Sequence, residues 1–212
     1  MELFSEELTH YLENSCEPEN ELLKHINRET HLKVSMPRML SGHYQGKLLS
    51  MISKLVNPER ILEIGTFTGY ATLCLAEGLR ENGRIHTIDI NMELEDMVRS
   101  NFKRSDLNSK IIYQIGDAKA IIPSLNETFD LVFIDADKKN NATYYDMIID
   151  KVRPGGLILV DNVLWSGKVL EQGASDQKTA FISKFNEMVS ADLRVEKLIL
   201  PVRDGLFLIR KK

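Results

Sequence analysis

Two cysteines in 212 residues, Cys16 and Cys74, cannot build a disulfide framework, and nothing pairs them in a zinc-ligand spacing. A reducing, cytoplasmic setting is therefore expected. No apolar run approaches the roughly 18 residues of a membrane span. The opening M-E-L-F-S-E-E-L lacks the basic start and apolar stretch of a signal peptide. A basic surplus is missing too. Lys and Arg number 27 against 31 Asp and Glu, which counts against a nucleic-acid partner. The five histidines, His10, His25, His31, His43 and His86, show no paired ligand spacing, and His43 reads as structural. There is no G-x-S-x-G elbow, and neither cysteine has a catalytic setting. What remains is 43% apolar and 27% charged, an ordinary globular balance, in a length that fits one domain over residues 1–212.

The first 58 residues read as a helical cover. Leu22, Leu23 and Ile26 share a helical face after Pro18, which marks a helix start. Leu48, Leu49, Ile52, Leu55 and Val56 keep helical spacing in a second segment, with a break between them around Pro37 and Gly42. Over 59–212 the pattern changes to a wound α/β core. The runs R-I-L-E-I-G, R-I-H-T-I-D, K-I-I-Y-Q-I-G, F-D-L-V-F-I-D and G-L-I-L-V-D read as buried strands separated by helices. Leu73, Ala76 and Leu79 share one helical face, ending at Asn82-Gly83; Leu94, Val98 and Phe102 share another. Five such strands predict a parallel sheet wound on both sides. A further helix carries Ile182, Phe185, Met188 and Val189. Two apolar runs then flank Arg203-Asp204-Gly205, a signal for a C-terminal antiparallel hairpin.

In an open wound sheet, ligands bind beyond the carboxyl ends of the strands. The first strand is followed by Glu63-Ile64-Gly65-Thr66-Phe67-Thr68-Gly69-Tyr70. Its glycines allow a sharp turn and close approach to a ligand, or simply a tight turn with none. Position 67 is Phe, which argues against the G-x-G-x-x-G of a nicotinamide site. Asp89 ends the second strand, 24 residues past Gly65, where an acid meets ribose hydroxyls in wound nucleotide folds. The alternative is an exposed helix cap. Gly116-Asp117-Ala118 ends the third strand and leaves a flat place for a planar base; the alternative for Asp117 is a helix cap.

Asp135-Ala136-Asp137-Lys138 ends the fourth strand and Asp161-Asn162 the fifth. Neighbouring strands lie about 5 Å apart, so Asp135, Asp161 and Asn162 can converge on one ion. An all-oxygen set suits Mg²⁺, with Mn²⁺ or Ca²⁺ as alternatives. The competing reading is a pair of capping acids, which would repel each other without a cation. Lys138 follows Asp135 by three residues and is a candidate base; Lys139 reads as solvated.

Together E-I-G-T-F-T-G-Y, F-D-L-V-F-I-D-A-D-K, R-P-G-G-L-I-L-V-D-N-V-L-W-S-G and L-P-V-R-D-G-L resemble the metal-dependent small-molecule O-methyltransferases of the catechol and caffeoyl-coenzyme-A type. The resemblance runs from about Met36 to the C-terminus. It implies a seven-stranded, mostly parallel methyltransferase sheet, S-adenosylmethionine as donor, and a homodimer. It implies that Glu63, Gly65 and Thr66 line the cofactor, that Asp89 holds the ribose, and that Ala118 flanks the adenine. Asp135 and Asp137 would face the cofactor, and Ser41 would contact it from the covering segment. Asp135, Asp161 and Asn162 match the metal ligands and Lys138 the catalytic lysine. Two positions depart from the pattern. Ala71 stands where a Ser commonly touches the methionine carboxylate, leaving that contact to backbone N–H groups. Asn141 stands where an aromatic residue is common. Trp165 and Ser166 would border the acceptor, with the core as the alternative for Trp165.

The expected reaction is direct methyl transfer to a phenolic hydroxyl of a small molecule, a vicinal aromatic diol above all. The expected partners include neither nucleic acid nor membrane. The rivals are a nicotinamide-dependent oxidoreductase and a non-catalytic module that binds the adenosyl ligand.

Overall fold

Three helices precede the first strand. In the computed structural model, which describes residues 5–171 and 176–212, they are α1 (Glu6–Asn14), α2 (Glu21–Lys33) and α3 (Gly42–Val56). The first four residues of the expected helical cover lie outside the described residues. The Asn20 side chain accepts the Leu23 N–H at 2.8 Å and starts α2. The first helical residue, Glu21, is therefore three positions past Pro18, because an amide oxygen can satisfy an open helix N–H and a proline ring cannot. At the other end, α3 stops at Asn57 in left-handed backbone, φ 49°.

The rest alternates. It runs β1 (Arg60–Ile64), α4 (Tyr70–Ala76), β2 (Arg84–Asp89), α5 (Glu95–Lys103), β3 (Ile111–Ile115), α6 (Ala118–Ile121), β4 (Phe129–Ile134), α7 (Asn141–Ile148) and β5 (Val152–Asp161). The chain then forms α8 (Gln177–Ala191), β6 (Val195–Leu200) and β7 (Leu206–Lys211). The helix after β1 is shorter than its apolar spacing implied. Leu79 lies beyond its end, though still buried. Just past this end α3 packs onto the backbone, since a Cβ on Gly78 would stand 2.2 Å from the Ser53 carbonyl carbon.

All seven strands form one sheet in the order β3-β2-β1-β4-β5-β7-β6. The first five are parallel, and β7 is antiparallel to both of its neighbours. The expected hairpin is present, with a wider turn than a bare Asp-Gly pair makes: Leu200 pairs with Leu206 across residues 201–205. Alternation along the strands feeds two cores. Ile61, Leu131, Phe133 and Leu159 face α2–α5, while Leu62, Ile64, Val132, Ile134 and Val160 face α7 and α8. Each such side chain contributes about 1.5–3 kcal/mol on full burial. Because β1 pairs with β2 on one side and β4 on the other, the chain order reverses there, and a crevice opens at the carboxyl ends.

Candidate active site

The glycine turn lies in that crevice. Gly65 has φ +107°, and a Cβ on it would stand 2.1 Å from the Asp135 carbonyl oxygen. Only glycine lets the end of β1 rest on the end of β4. The turn is braced from three sides. Phe67 N–H donates to Asp89 Oδ2 at 2.7 Å, and Asn101 Nδ2 donates to the Thr68 carbonyl at 3.0 Å. Thr30 Oγ1 on α2 lies 2.7 Å from the Ile26 carbonyl and 3.0 Å from Thr68 Oγ1. With its single proton given to the carbonyl, Thr30 accepts from Thr68. Ala71 is buried in the first turn of α4 and its methyl group offers no hydrogen bond.

Beneath the turn Glu63 is completely buried. Thr72 and Thr87 both donate to its Oε2, and Thr66 Oγ1 lies 2.6 Å from Thr87 Oγ1. Since Thr87 gives its proton to Glu63, Thr66 must donate to Thr87, which leaves Thr66 an acceptor toward the crevice. Burial pushes the Glu63 pKa up to about 8, against the two threonine hydrogen bonds. Its Oε1 has no partner among the described residues.

Asp89 does not cap the following helical turn; Asn91 does, accepting from Glu93 N–H. Asp89 instead uses Oδ2 on Phe67 and Oδ1 on Asn91 N–H, which fixes its carboxylate beside the glycine turn. Asp117 is a cap, accepting from Lys119 N–H at 2.9 Å, with Ala118 buried at the start of α6.

The two strand-end acids meet as expected. Ile134 pairs with Val160 in parallel register, so Asp135 and Asp161 follow side by side. Asp161 is buried, and desolvation together with the Asp135 charge raises its pKa to about 6. Asp161 Oδ1 accepts from Asn162 N–H and Oδ2 from Gln45 Nε2, both at 2.8 Å. Lys138 Nζ stands 2.9 Å from Asp135 Oδ1. Asp137 is more exposed and locally engaged: Tyr144 donates to Oδ1 and Asn140 to Oδ2. Among the described residues no three His, Cys, Asp or Glu side chains converge, and Asn162 follows Asp161 directly in the chain.

Asn162, Trp165 and Ser166 all have positive φ, a strained run of the kind that persists where surroundings over-determine it. The turn at 203–205 supplies those surroundings. Val163 N–H donates to the Gly205 carbonyl, Leu164 N–H to the Asp204 carbonyl, and Ser166 N–H to the Asp204 carboxylate. Ser41, at the head of α3, is buried, and its carbonyl accepts from Arg203. Asn141 is buried at the start of α7, with neither amide atom partnered among the described residues.

Sequence reasoning missed Gln45, Thr72, Thr87 and Arg203. Thr87 had a usable signal, as it sits opposite Glu63 once β1 and β2 are aligned. The approach of Gln45 to Asp161, across 116 positions of chain, had none.

Residues 12–212 match the family model described as O-methyltransferase. A caffeoyl-CoA O-methyltransferase of Petroselinum crispum is 35% identical, over 94% of this chain and 88% of its own length. One from Stellaria longipes is 33% identical over 99% and 92%. Among solved structures, the O-methyltransferase from Bacillus cereus in complex with SAH superposes with a TM-score of 0.90 at 30% identity, covering 97% of each chain. The O-methyltransferase TomG from Streptomyces achromogenes, in complex with SAM, gives 0.90 at 28%, covering 97% of this chain and 96% of its own.

Proposed function

Because the chain belongs to the O-methyltransferase family and is an S-adenosylmethionine-dependent enzyme, we propose that its acceptor is a vicinal aromatic diol, of the catechol or caffeoyl kind. We propose further that a divalent cation, Mg²⁺ first among candidates, is held by Asp135, Asp161 and Asn162. The observation that carries this reading is the pair of carboxylates at adjacent strand ends. Asp161 is buried beside Asp135, and desolvation first and the Asp135 charge second raise its pKa, so a cation between the two carboxylates would relieve both. An oxygen-only donor set of that charge fits a hard dication.

The donor side fits as well. Asp89 presents a fixed carboxylate suited to a ribose diol, and Ala118 a small surface suited to the adenine. Glu63 Oε1, buried without a partner, is the atom that the methionine ammonium would satisfy. Gly65, Thr66 and the backbone at Ala71 would line the methionine moiety. Ser41, Asp135 and Asp137 would complete the cofactor side.

When bound, the dication would lower the pKa of an attached phenol from its usual value of about 10. Lys138 takes the proton or, as an ammonium, stabilises the oxyanion left by its loss. The oxygen forms its bond to the methyl carbon as the carbon–sulfur bond breaks, and S-adenosylhomocysteine leaves. The α3 head and the segment before it exclude water from this step. A cytoplasmic setting, expected from the two unpaired cysteines, and a homodimer, implied by the resemblance, complete the proposal.

The test compares caffeic acid with its monohydroxy analogue. Two adjacent oxygens can fill two open positions on an ion held by three protein ligands, and a lone phenol only one. We expect kcat/KM to favour the diol by at least about tenfold, and Lys138→Ala to cut turnover while leaving donor affinity nearly unchanged. A chelator should abolish turnover and Mg²⁺ restore it. Equal use of both acceptors, or full turnover after chelation, would defeat the proposal.

A further inference from the structure

The turn between β6 and β7 carries a side chain that the reaction itself does not use. Arg203 Nη1 donates to the carbonyls of Leu40 and Ser41, the first at 2.6 Å, and Nη2 donates to the Arg38 carbonyl at 3.1 Å. These carbonyls belong to the segment that leads into α3. The same α3 sends Gln45 to Asp161. On its other side the turn holds the 163–166 loop through Asp204 and Gly205. One five-residue turn thus grips two walls of the crevice.

Arg203 holds this position at φ +48°, left-handed backbone that a residue with a side chain rarely adopts. Two residues on, Gly205 takes a similar left-handed conformation, φ +91°, with no side chain to oppose it. The backbone cost is offset by a planar guanidinium whose fixed fork meets three carbonyls at once, which a lysine ammonium cannot reproduce.

We propose that Arg203 is a positioning residue: it latches the covering segment Arg38–Ser41 closed, so that the donor meets a preassembled wall rather than one it must order on binding. This rests on the donor lying between the glycine turn and the strand-end acids, as proposed above. Ordering a segment in advance removes that cost from binding. Without the latch, only the closed fraction of molecules is binding-competent, and apparent affinity falls by that fraction.

The informative variant is Arg203→Gly, because glycine is at ease at this φ and isolates the side chain from the backbone. Calorimetry with S-adenosylhomocysteine on wild type first checks the donor site itself. In the variant, the dissociation constant should rise several-fold, up to about tenfold. Amide exchange should accelerate within 38–41, and the melting temperature without ligand should change little. Arg203→Lys, read the same way, should behave like the glycine variant. Unchanged exchange and affinity in both variants would overturn the proposal. So would a fall in melting temperature with exchange raised evenly along the chain, which would make Arg203 a general stabiliser.

Discussion

Glu63 is a carboxyl group with no contact to water, and its titration should be legible in the stability of the whole protein. Its folded pKa of about 8 lies above the usual 4.5, so between those values the folded chain keeps a proton that the unfolded chain has lost. Unfolding then releases a proton, and stability falls as pH rises across that window. Glu63→Gln keeps the shape and cannot ionise. We expect the stability of the variant relative to wild type to grow from pH 5 to pH 8, by on the order of 1–3 kcal/mol, in urea titrations. Parallel curves for the two proteins would remove Glu63 as the titrating group. At this scale, the sequence showed where reactive side chains cluster better than what each one touches. Asp135, Asp161 and Lys138 stand together as expected because strand ends concentrate them, and strand ends are visible as apolar runs followed by acids. Asp117 turned out to serve as a cap. Arg203 was read only as part of a turn, since nothing in its neighbours announces a bond to Leu40, 163 positions away.

Among the elements, the strands were the most legible. A central parallel strand is buried on both faces and therefore reads as an unbroken apolar run. The helices gave up their faces but not their ends, which depend on caps such as Asn20. How α2 docks was not legible at all. Its buried Thr30 joins the glycine turn through Thr68, so this helix helps shape a loop that lies 38 residues further on. Thr30→Val preserves volume and strands the Thr68 hydroxyl without its acceptor. The expected loss is about 1–3 kcal/mol of stability, the usual cost of a buried hydroxyl left unpaired. Differential scanning calorimetry would show it, and a variant that melts like wild type would mean that the turn stands without α2.

The whole molecule depends on the sheet being closed by its last-numbered strand. Because β7 lies between β5 and β6, it supplies both of their ladders on that side, and its Leu206, Phe207 and Ile209 are buried in the two cores. A chain cut after Gly205 would leave β5 with a bare edge and β6 with no partner in the sheet. We expect it to lose the cooperative thermal transition, and a truncated protein that still unfolds in one sharp step would contradict this account. The same arrangement governs how the molecule bears a load. Tension applied near Lys212 and directed along β7 would act in shear, straining the hydrogen bonds to both neighbours together instead of opening them one after another. Tension at the opposite terminus would meet α1, a helix largely open to solvent, and could peel the structure from there. Drawn through a narrow pore, the protein should therefore yield readily from one end and stall at the other.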